Sequence, residues 1–119
     1  MTLTVRNVTF MTTDPARLAE FWGAALGYTQ RRDSEDEILL APDDWGFPRL
    51  TFQPIAAPRS EPAPLHLDLT ADDMLAEIDR LVRLGAVRGQ TVEPARPGDV
   101  TWTVMRDPDG NEFCVMQRQ

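Results

Sequence analysis

The segment that decides the fold is DPARLAEFWGAALG, residues 14–27. Asp14 and Pro15 predict the start of a helix, because aspartate caps the first backbone amides and proline fits the first helical position. Apolar residues then recur at helical spacing from Leu18 to Ala25, which indicates one buried face. Gly27 can adopt the left-handed conformation that ends a helix.

The same pattern returns in the second half of the chain. Leu18-Ala19-Glu20 recurs at residues 75–77 and Leu26-Gly27 at residues 84–85, which are offsets of 57 and 58. In the strands that precede the helices, Asn7 falls opposite His66 at an offset of 59. The repeat indicates two copies of one unit with the order strand, helix, strand, strand, strand.

Runs of β-branched and apolar residues between turn residues predict four strands in each half. They are residues 3–13, 28–32, 37–41 and 49–53, then 65–70, 87–92, 100–106 and 112–117. Four prolines make residues 54–64 a connector, because proline cannot join a ladder or a helix interior. We therefore predict a single α+β domain over residues 1–119, built from two tandem βαβββ modules (1–57 and 63–119).

Composition limits the class of function. Hydrophobic residues make up 42% of the 119-residue chain and charged residues 26%, which is typical of a globular protein. The formal charge of −7 argues against nucleic-acid and membrane partners, and Arg31-Arg32 is the only adjacent basic pair. We see no transmembrane segment and no signal peptide, and the single cysteine, Cys114, is consistent with a cytoplasmic protein.

Three segments carry a family resemblance: residues 13–28 around the first helix, LHLDL at residues 65–69, and the turn DPDGNEF at residues 107–113. Together they resemble the glyoxalase/bleomycin resistance/dioxygenase group, also called the vicinal oxygen chelate superfamily, and within it the glyoxalase-like subfamily. The resemblance implies a U-shaped mixed sheet around a cavity, and a homodimer. It also implies a divalent metal held by four side chains, two from each module.

The resemblance assigns the four metal positions to Asn7, to Phe52 or Gln53, to His66 and to Cys114. His66 is a good ligand, whereas asparagine is a poor ligand for a transition metal and cysteine suits only soft metals. We therefore expect no metal cofactor. If a divalent metal does bind, we expect His66 to hold it together with Gln53 or Cys114.

Further candidates surround these positions. Asp68 should share a strand face with His66 and orient it, unless a bulge turns it outward. Glu112 should share a face with Cys114, either as a general base beside His66 or as a solvated turn residue. Trp102 is a candidate wall of the ligand pocket or a core residue, and Trp45 is a candidate lid residue in a loop. For Cys114 we favour inert packing over reactivity, and the acidic run 35–37 indicates a solvated turn.

Three functional hypotheses follow. The first is a protein that binds a small organic molecule in its cavity without a metal, for which the negative net charge favours a cationic ligand. The ligand-binding residues would be drawn from Asn7, Gln53, His66, Asp68, Trp102 and Cys114. The second is a lyase, isomerase or dioxygenase that uses His66 with Glu112 or an atypical metal. The third is a protein-interaction module whose cavity is filled by side chains.

Overall fold

The computed structural model describes residues 2–34 and 36–119. Met1, the first residue of the predicted module 1, and Glu35, part of the predicted acidic turn, lie outside the described residues. The chain divides into two compact units, Met1–Arg59 (unit 1) and Ser60–Gln119 (unit 2). The boundary falls inside the predicted connector. No helix of the described residues is long and apolar enough to span a membrane.

Unit 1 has one helix and four strands. They are β1 (Asn7–Thr12), α1 (Pro15–Leu26), β2 (Thr29–Asp33), β3 (Ile38–Ala41) and β4 (Arg49–Pro54). The sheet order is β1-β4-β3-β2, with β1 parallel to β4 and the other neighbours antiparallel. The helix signals work as predicted: the Asp14 carboxylate accepts from the Arg17 amide at 3.2 Å, and Gly27 ends the helix with a φ of 69°.

Unit 2 repeats this topology. It contains β5 (Leu67–Ala71), α2 (Met74–Leu84), β6 (Val87–Val92), β7 (Trp102–Arg106) and β8 (Glu112–Gln117), in the sheet order β5-β8-β7-β6. The carboxylate of Asp73 caps α2 as that of Asp14 caps α1, and these two residues are separated by the same offset of 59 that relates Asn7 to His66. The predicted α+β fold with two βαβββ modules is confirmed.

The element ends differ from the predictions where pairing partners run out. β1 begins at Asn7 because its parallel partner β4 begins at Arg49, so residues 3–6 lie before the strand. His66 likewise lies just before β5. Pro54 belongs to β4 rather than to the connector. Proline has no backbone N–H group, but the hydrogen bond to β1 at this point comes from the next residue. The Ile55 amide donates to the Thr12 carbonyl at 3.0 Å, so the pairing of β4 with β1 is kept.

In unit 1 the helix covers one face of the sheet with aromatic rings. Trp22 lies 5.6 Å from Phe10, and Phe10 stacks on Phe52 at 5.1 Å between ring centroids. Successive side chains of a strand point to opposite faces. Leu50 and Phe52 are therefore buried beneath α1, while the alternate residues of β4 belong to the opposite, open face.

Unit 2 has the same two faces. Met74, Ile78 and Leu81 of α2 are buried, and so are Phe113 and Val115 of β8. The apolar residues Leu75 and Val82 lie outside this buried face of α2 and are exposed. Residues such as Asp68 and Cys114, which are paired across β5 and β8, belong to the open face.

A buried carboxylate organises the turn between β7 and β8. Asp107 is 2% exposed, and its Oδ1 accepts from the backbone amides of Asp109 at 3.0 Å and Asn111 at 2.9 Å. Its Oδ2 accepts from the Asn111 side-chain amide at 2.9 Å. This carboxylate fixes the turn that delivers β8 to the centre of its sheet.

We expect Asp107→Ala to lower the free energy of unfolding by about 2 kcal/mol or more, because several donors lose their acceptor at once. Urea denaturation of the whole chain measures this loss. Asp109→Ala, at an exposed position of the same turn, serves as the control, with an expected change below about 0.5 kcal/mol. Equal losses in the two variants would contradict this role of Asp107.

Candidate functional site

The open face of unit 1 carries a groove of about 550 Å³. Its lining comes from all four strands of the sheet, from the residues just before β1 and β3, and from the loop between β3 and β4. The lining residues are Arg6, Asn7, Thr9, Arg31, Arg32, Glu37, Leu39, Trp45, Arg49, Thr51 and Gln53. This volume lies within the range of small-molecule sites, about 300–1,000 Å³.

Three arginines of the groove alternate with two aromatic rings, of which Trp45 lines the groove and Phe47 lies beside two of the arginines. The Arg31 guanidinium lies 4.6 Å from the centre of the Trp45 ring, and that of Arg49 lies 5.2 Å from the same ring. Arg49 also lies 4.9 Å from the Phe47 ring, and Arg6 lies 5.6 Å from it. We call these five residues the guanidinium ladder. Such contacts attract a cation to the face of a ring.

Local backbone features position the ladder. Arg31 sits at a β-bulge, where the pairing of β2 with β3 shifts register between Gln30 and Arg32. Bulges redirect side chains in this way and are common beside functional sites. Trp45 has a φ of 61°, a conformation that costs a bulky residue about 1–3 kcal/mol and that also clusters at functional sites.

Hydrogen bonds then fix two of the guanidinium groups. Arg31 Nη2 donates to the carbonyl oxygens of Pro42 and Asp43, each at 3.1 Å. Arg49 Nη2 donates to the Trp45 carbonyl at 2.7 Å. The Nε atoms of Arg31 and Arg49 are buried and have no hydrogen-bond partner in the part of the chain that the structure describes. A buried donor without an acceptor costs about 1–3 kcal/mol.

The charges of the groove are not balanced. Its carboxylate, Glu37, forms an ion pair with Arg32 and accepts from Gln53 Nε2 at 3.0 Å. Within residues 2–34 and 36–119, no carboxylate forms an ion pair with Arg6, Arg31 or Arg49. The groove is therefore positive although the chain as a whole is negative. A positive groove favours an anionic ligand, whereas the net charge of the chain favours a cationic one.

A neutral hydrogen-bonded cluster lies across β1 and β4 in the groove. Asn7 Nδ2 donates to the hydroxyl oxygens of Thr9 at 3.2 Å and Thr51 at 3.3 Å, and these two hydroxyls lie 2.6 Å apart. Thr9 pairs with Thr51 as Asp68 pairs with Cys114. Since Thr9 and Asp68 are related by the offset of 59, Thr51 is the counterpart of Cys114.

This pairing revises the open choice between Phe52 and Gln53. Phe52 is wrong, because its ring is fully buried on the helix side of the sheet. Gln53 shares the open face but lies two residues beyond Thr51, and its amide is bound to Glu37. The register was missed because threonine does not resemble a metal ligand and adjacent strand residues differ only in the face they occupy.

In unit 2 three of the predicted residues come together. His66 Nε2 lies 3.2 Å from Asp68 Oδ1, as expected for a carboxylate that orients an imidazole. Candidate ligand atoms of His66, Asp68 and Cys114 all lie within 4.8 Å of one another. The His66 and Asp68 side chains are 45% and 50% exposed, whereas Cys114 is buried.

The surroundings of Cys114 keep its thiol protonated. Burial raises the pKa of Cys114, and the negative charges of Asp68 and Glu112 and a hydrogen bond with Asp68 raise it further. A thiol becomes a nucleophile or a metal ligand only as the thiolate. Cys114 is therefore poorly reactive and is a weak metal ligand near neutral pH.

Glu112 and Trp102 are less closely tied to this cluster. Glu112 is exposed, and its carboxylate lies 3.9 Å from Arg106 Nη2 in a loose ion pair. Trp102 is half-buried and pairs with Met116 of β8, which places it on the same open face as Cys114. A catalytic role for Glu112 and a ligand contact for Trp102 stay predictions.

The residues of unit 1 do not fit the metal site that the resemblance implies. Asn7 and Thr51 provide only a neutral amide and a neutral hydroxyl group, where a transition metal calls for imidazole, carboxylate or thiolate ligands. The Asn7 amide nitrogen already donates to Thr9 and Thr51, and the Thr51 hydroxyl is hydrogen-bonded to that of Thr9. The His66, Asp68 and Cys114 cluster provides three such groups, but one of them is a protonated thiol.

Sequence reasoning missed the arginine-rich groove. Arg6, Arg31 and Arg49 are far apart in sequence, so they do not form a run of basic residues that would predict a positive site. The Arg31-Arg32 pair was a partial signal, and β-strand alternation would have sent its two side chains to opposite faces. The bulge at Arg31 breaks that alternation, and both side chains line the groove.

Comparisons with known proteins give one family. The glyoxalase-like domain model matches residues 7–116. No curated protein matches the chain at a significant level.

Solved structures share the fold at low identity. A glyoxalase/bleomycin resistance protein/dioxygenase family enzyme from Burkholderia phytofirmans is 15% identical, with a TM-score of 0.81 over 97% of this chain and 98% of that one. A glyoxalase-related enzyme from Fulvimarina pelagi is 18% identical, with a TM-score of 0.73 over 97% and 88%. A mutant of the fosfomycin resistance protein FosX from Listeria monocytogenes, complexed with Mn(II) and 1S,2S-dihydroxypropylphosphonic acid, is 13% identical, with a TM-score of 0.80 over 100% and 93%.

We expect Cys114 to react with iodoacetamide more slowly than free cysteine at pH 8, and to reach half its maximal rate at a higher pH, because burial and the neighbouring carboxylates raise its pKa. Asp68→Asn removes one of those charges and should speed the reaction severalfold. Mass spectrometry of the alkylated chain follows both rates. Asp72→Asn, at an exposed acid outside the cluster, should leave the rate unchanged, and an equal acceleration there would refute the local effect.

Proposed function

The chain belongs to the glyoxalase-like domain family, and we propose that it is a member that binds a small organic molecule in the groove of unit 1, without a resident metal ion. The observation that carries the proposal is the groove itself, which is of ligand size and is lined by charged, hydroxyl and aromatic side chains. Sites of this kind combine apolar surface with a few placed polar groups that fix a ligand's orientation.

The arrangement of the groove supports binding rather than core packing. The Trp45 and Phe47 side chains are 46% and 47% exposed, although burial would stabilise rings of this size. Trp45 lines the groove in a strained backbone conformation and contacts Arg31, and Phe47 lies beside the lining residue Arg49. Exposed aromatic surface and local strain are typical of sites shaped for a ligand.

The donor set supports a function without a metal. Asn7 and Thr51 are neutral and already hydrogen-bonded, and Cys114 holds its proton. Among the fold neighbours, FosX was solved with Mn(II), so the fold itself is compatible with a metal. The difference that we propose for this chain therefore lies in its side chains.

A second candidate rests on the cluster of His66, Asp68 and Cys114. Nitrogen, oxygen and sulfur donors within 4.8 Å of one another are able to hold a soft or borderline ion such as Zn²⁺ once the thiol is deprotonated. This would make the chain a metal-dependent or His66-based enzyme of the same superfamily. Because the proton on Cys114 competes with the ion, we rank this candidate second.

We expect Thr9→Trp to weaken the binding of small molecules by about tenfold or more, because the indole would fill the floor of the groove from an exposed strand position. Heteronuclear NMR titration of the labelled chain measures this with four probes: benzoate, phenylphosphonate, benzyl alcohol and benzylamine. Thr13→Trp is the matched control, since Thr13 is exposed and does not line the groove. The proposal fails if no probe shifts signals of groove residues, or if both variants bind equally well.

We expect the purified chain to contain well under one divalent metal ion per molecule, and EDTA to leave its unfolding temperature unchanged. The reason is that two of the four implied ligand positions, Asn7 and Thr51, carry only an amide and a hydroxyl group. Elemental analysis and thermal denaturation measure the two quantities. Stoichiometric metal that disappears in His66→Ala would instead favour the second candidate. His66→Gln separates loss of the imidazole from loss of side-chain volume.

A further inference from the structure

We infer that the guanidinium ladder of unit 1 is an oxyanion-binding site, which takes the carboxylate, phosphonate or phosphate group of a small organic molecule through Arg31 and Arg49. The inference rests on the proposed function and adds the chemical class of the ligand. It is opposite in sign to the cationic ligand that the net charge of −7 favours.

The strongest support is a positive charge that the protein leaves uncompensated. The chain has 19 acidic and 12 basic residues, so there are more than enough carboxylates to pair with every arginine. Four of the twelve basic residues nevertheless line one groove, and Glu37 is its only carboxylate among the described residues. Glu37 is engaged with Arg32 and Gln53, so no carboxylate of residues 2–34 and 36–119 is paired with Arg6, Arg31 or Arg49.

Nearby acids are bound elsewhere. Asp43 and Asp44 come immediately before Trp45 in the chain, which is close enough for either to have neutralised the ladder. The Asp43 carboxylate accepts instead from the Thr29 hydroxyl at 2.8 Å, and that of Asp44 accepts from the Gly46 amide at 2.8 Å. The loop therefore brings its aromatic ring to the arginines, while its two carboxylates form no ion pair with Arg6, Arg31 or Arg49.

The ladder is also organised in advance. A guanidinium group is planar because its electrons are delocalised, and its planar fork of N–H groups is the geometry that binds carboxylate and phosphate oxygens in pairs. Contact with the aromatic rings helps to hold that fork in one orientation. Arg31 and Arg49 are further held by hydrogen bonds to loop carbonyls, so little side-chain freedom is lost on binding. The described residues give their buried Nε donors no acceptor, and a bound oxyanion brings acceptor atoms to the same guanidinium groups.

The rest of the groove suits the uncharged part of the ligand. Asn7, Thr9 and Thr51 provide amide and hydroxyl groups, and Leu39 provides apolar surface. Acidic residues elsewhere on the chain weaken this site little, because salt at physiological strength screens exposed charges beyond about 8 Å. The local arginines therefore determine the sign of the potential that the ligand meets.

The test uses the full-length ¹⁵N-labelled chain and follows the side-chain Nε–H signals of Arg31 and Arg49 during titration. The anionic probes are benzoate, phenylphosphonate and inorganic phosphate, and the matched neutral and cationic probes are benzyl alcohol and benzylamine. We expect the anions to shift both signals and to bind more tightly than benzyl alcohol, with benzylamine the weakest. Comparing benzoate with phenylphosphonate separates the two kinds of oxyanion, and phosphate shows how much affinity the charged group supplies alone.

We expect Arg49→Gln and Arg31→Gln each to weaken anion binding by about tenfold or more, the usual scale for a lost charged hydrogen bond. Arg49→Lys keeps the charge but loses the fork, and should retain only part of the affinity. Arg17→Gln removes one positive charge at an exposed position of α1, outside the groove, and should leave binding unchanged. Unfolding temperatures confirm that each variant is folded.

Two results would overturn the inference. Groove binding of benzyl alcohol or benzylamine as tight as that of benzoate would leave the proposed function in place and remove the oxyanion site. An equal loss of affinity in Arg17→Gln would reduce the effect to net charge. If none of the five probes binds, the proposed function fails together with the inference.

Discussion

One helix can cover only one face of a four-stranded sheet, and this constraint governs both units. The parallel pairing of β1 with β4, and of β5 with β8, places the strand that ends each unit beside the strand that begins it. The helix between the first and second strands then packs on one face, where Trp22, Phe10 and Phe52 form the core of unit 1. Every second residue of the strands is released from core packing, and the candidate sites are built from those residues.

Much of this architecture could be predicted from local sequence signals. The Asp14 and Asp73 caps and the Gly27 and Gly85 stops act over a few residues, so they identify both helices and the repeat without knowledge of distant contacts. Strand ends depend on partners and could not be placed as well: β1 begins where Arg49 becomes available to pair. The face of each β4 residue required the true register.

The candidate sites divide in the same way. The proximity of His66, Asp68 and Cys114 follows from strand alternation and from the parallel pairing of β5 with β8, so sequence reasoning could assemble it. The groove of unit 1 depends on a bulge at Arg31 and on a left-handed Trp45. Neither feature has a reliable sequence signal. A bulge of this kind requires no particular residue type, and a left-handed backbone conformation is normally found at glycine or asparagine rather than at tryptophan. The net charge differs in sign from the groove because it averages over acids that do not line the groove.

The two units share one topology but carry different side chains on their open faces. At equivalent positions of the parallel pair, unit 1 has Thr9 and Thr51 where unit 2 has Asp68 and Cys114. The first pair shares a neutral hydrogen bond, and the second places a carboxylate beside a thiol whose pKa is raised. One open face therefore offers fixed positive charge and the other offers titratable donor atoms.

Along β4, from Arg49 to Gln53, even-numbered residues pack in the core and odd-numbered residues line the groove. Even-numbered Leu50 and Phe52 are anchored in the hydrophobic core, and odd-numbered Arg49, Thr51 and Gln53 face the groove. Substitutions at odd positions can therefore alter what the groove accepts while the even positions preserve the fold. Substitutions at alternate residues of this one six-residue strand are therefore an evolutionary route to a groove of different chemistry.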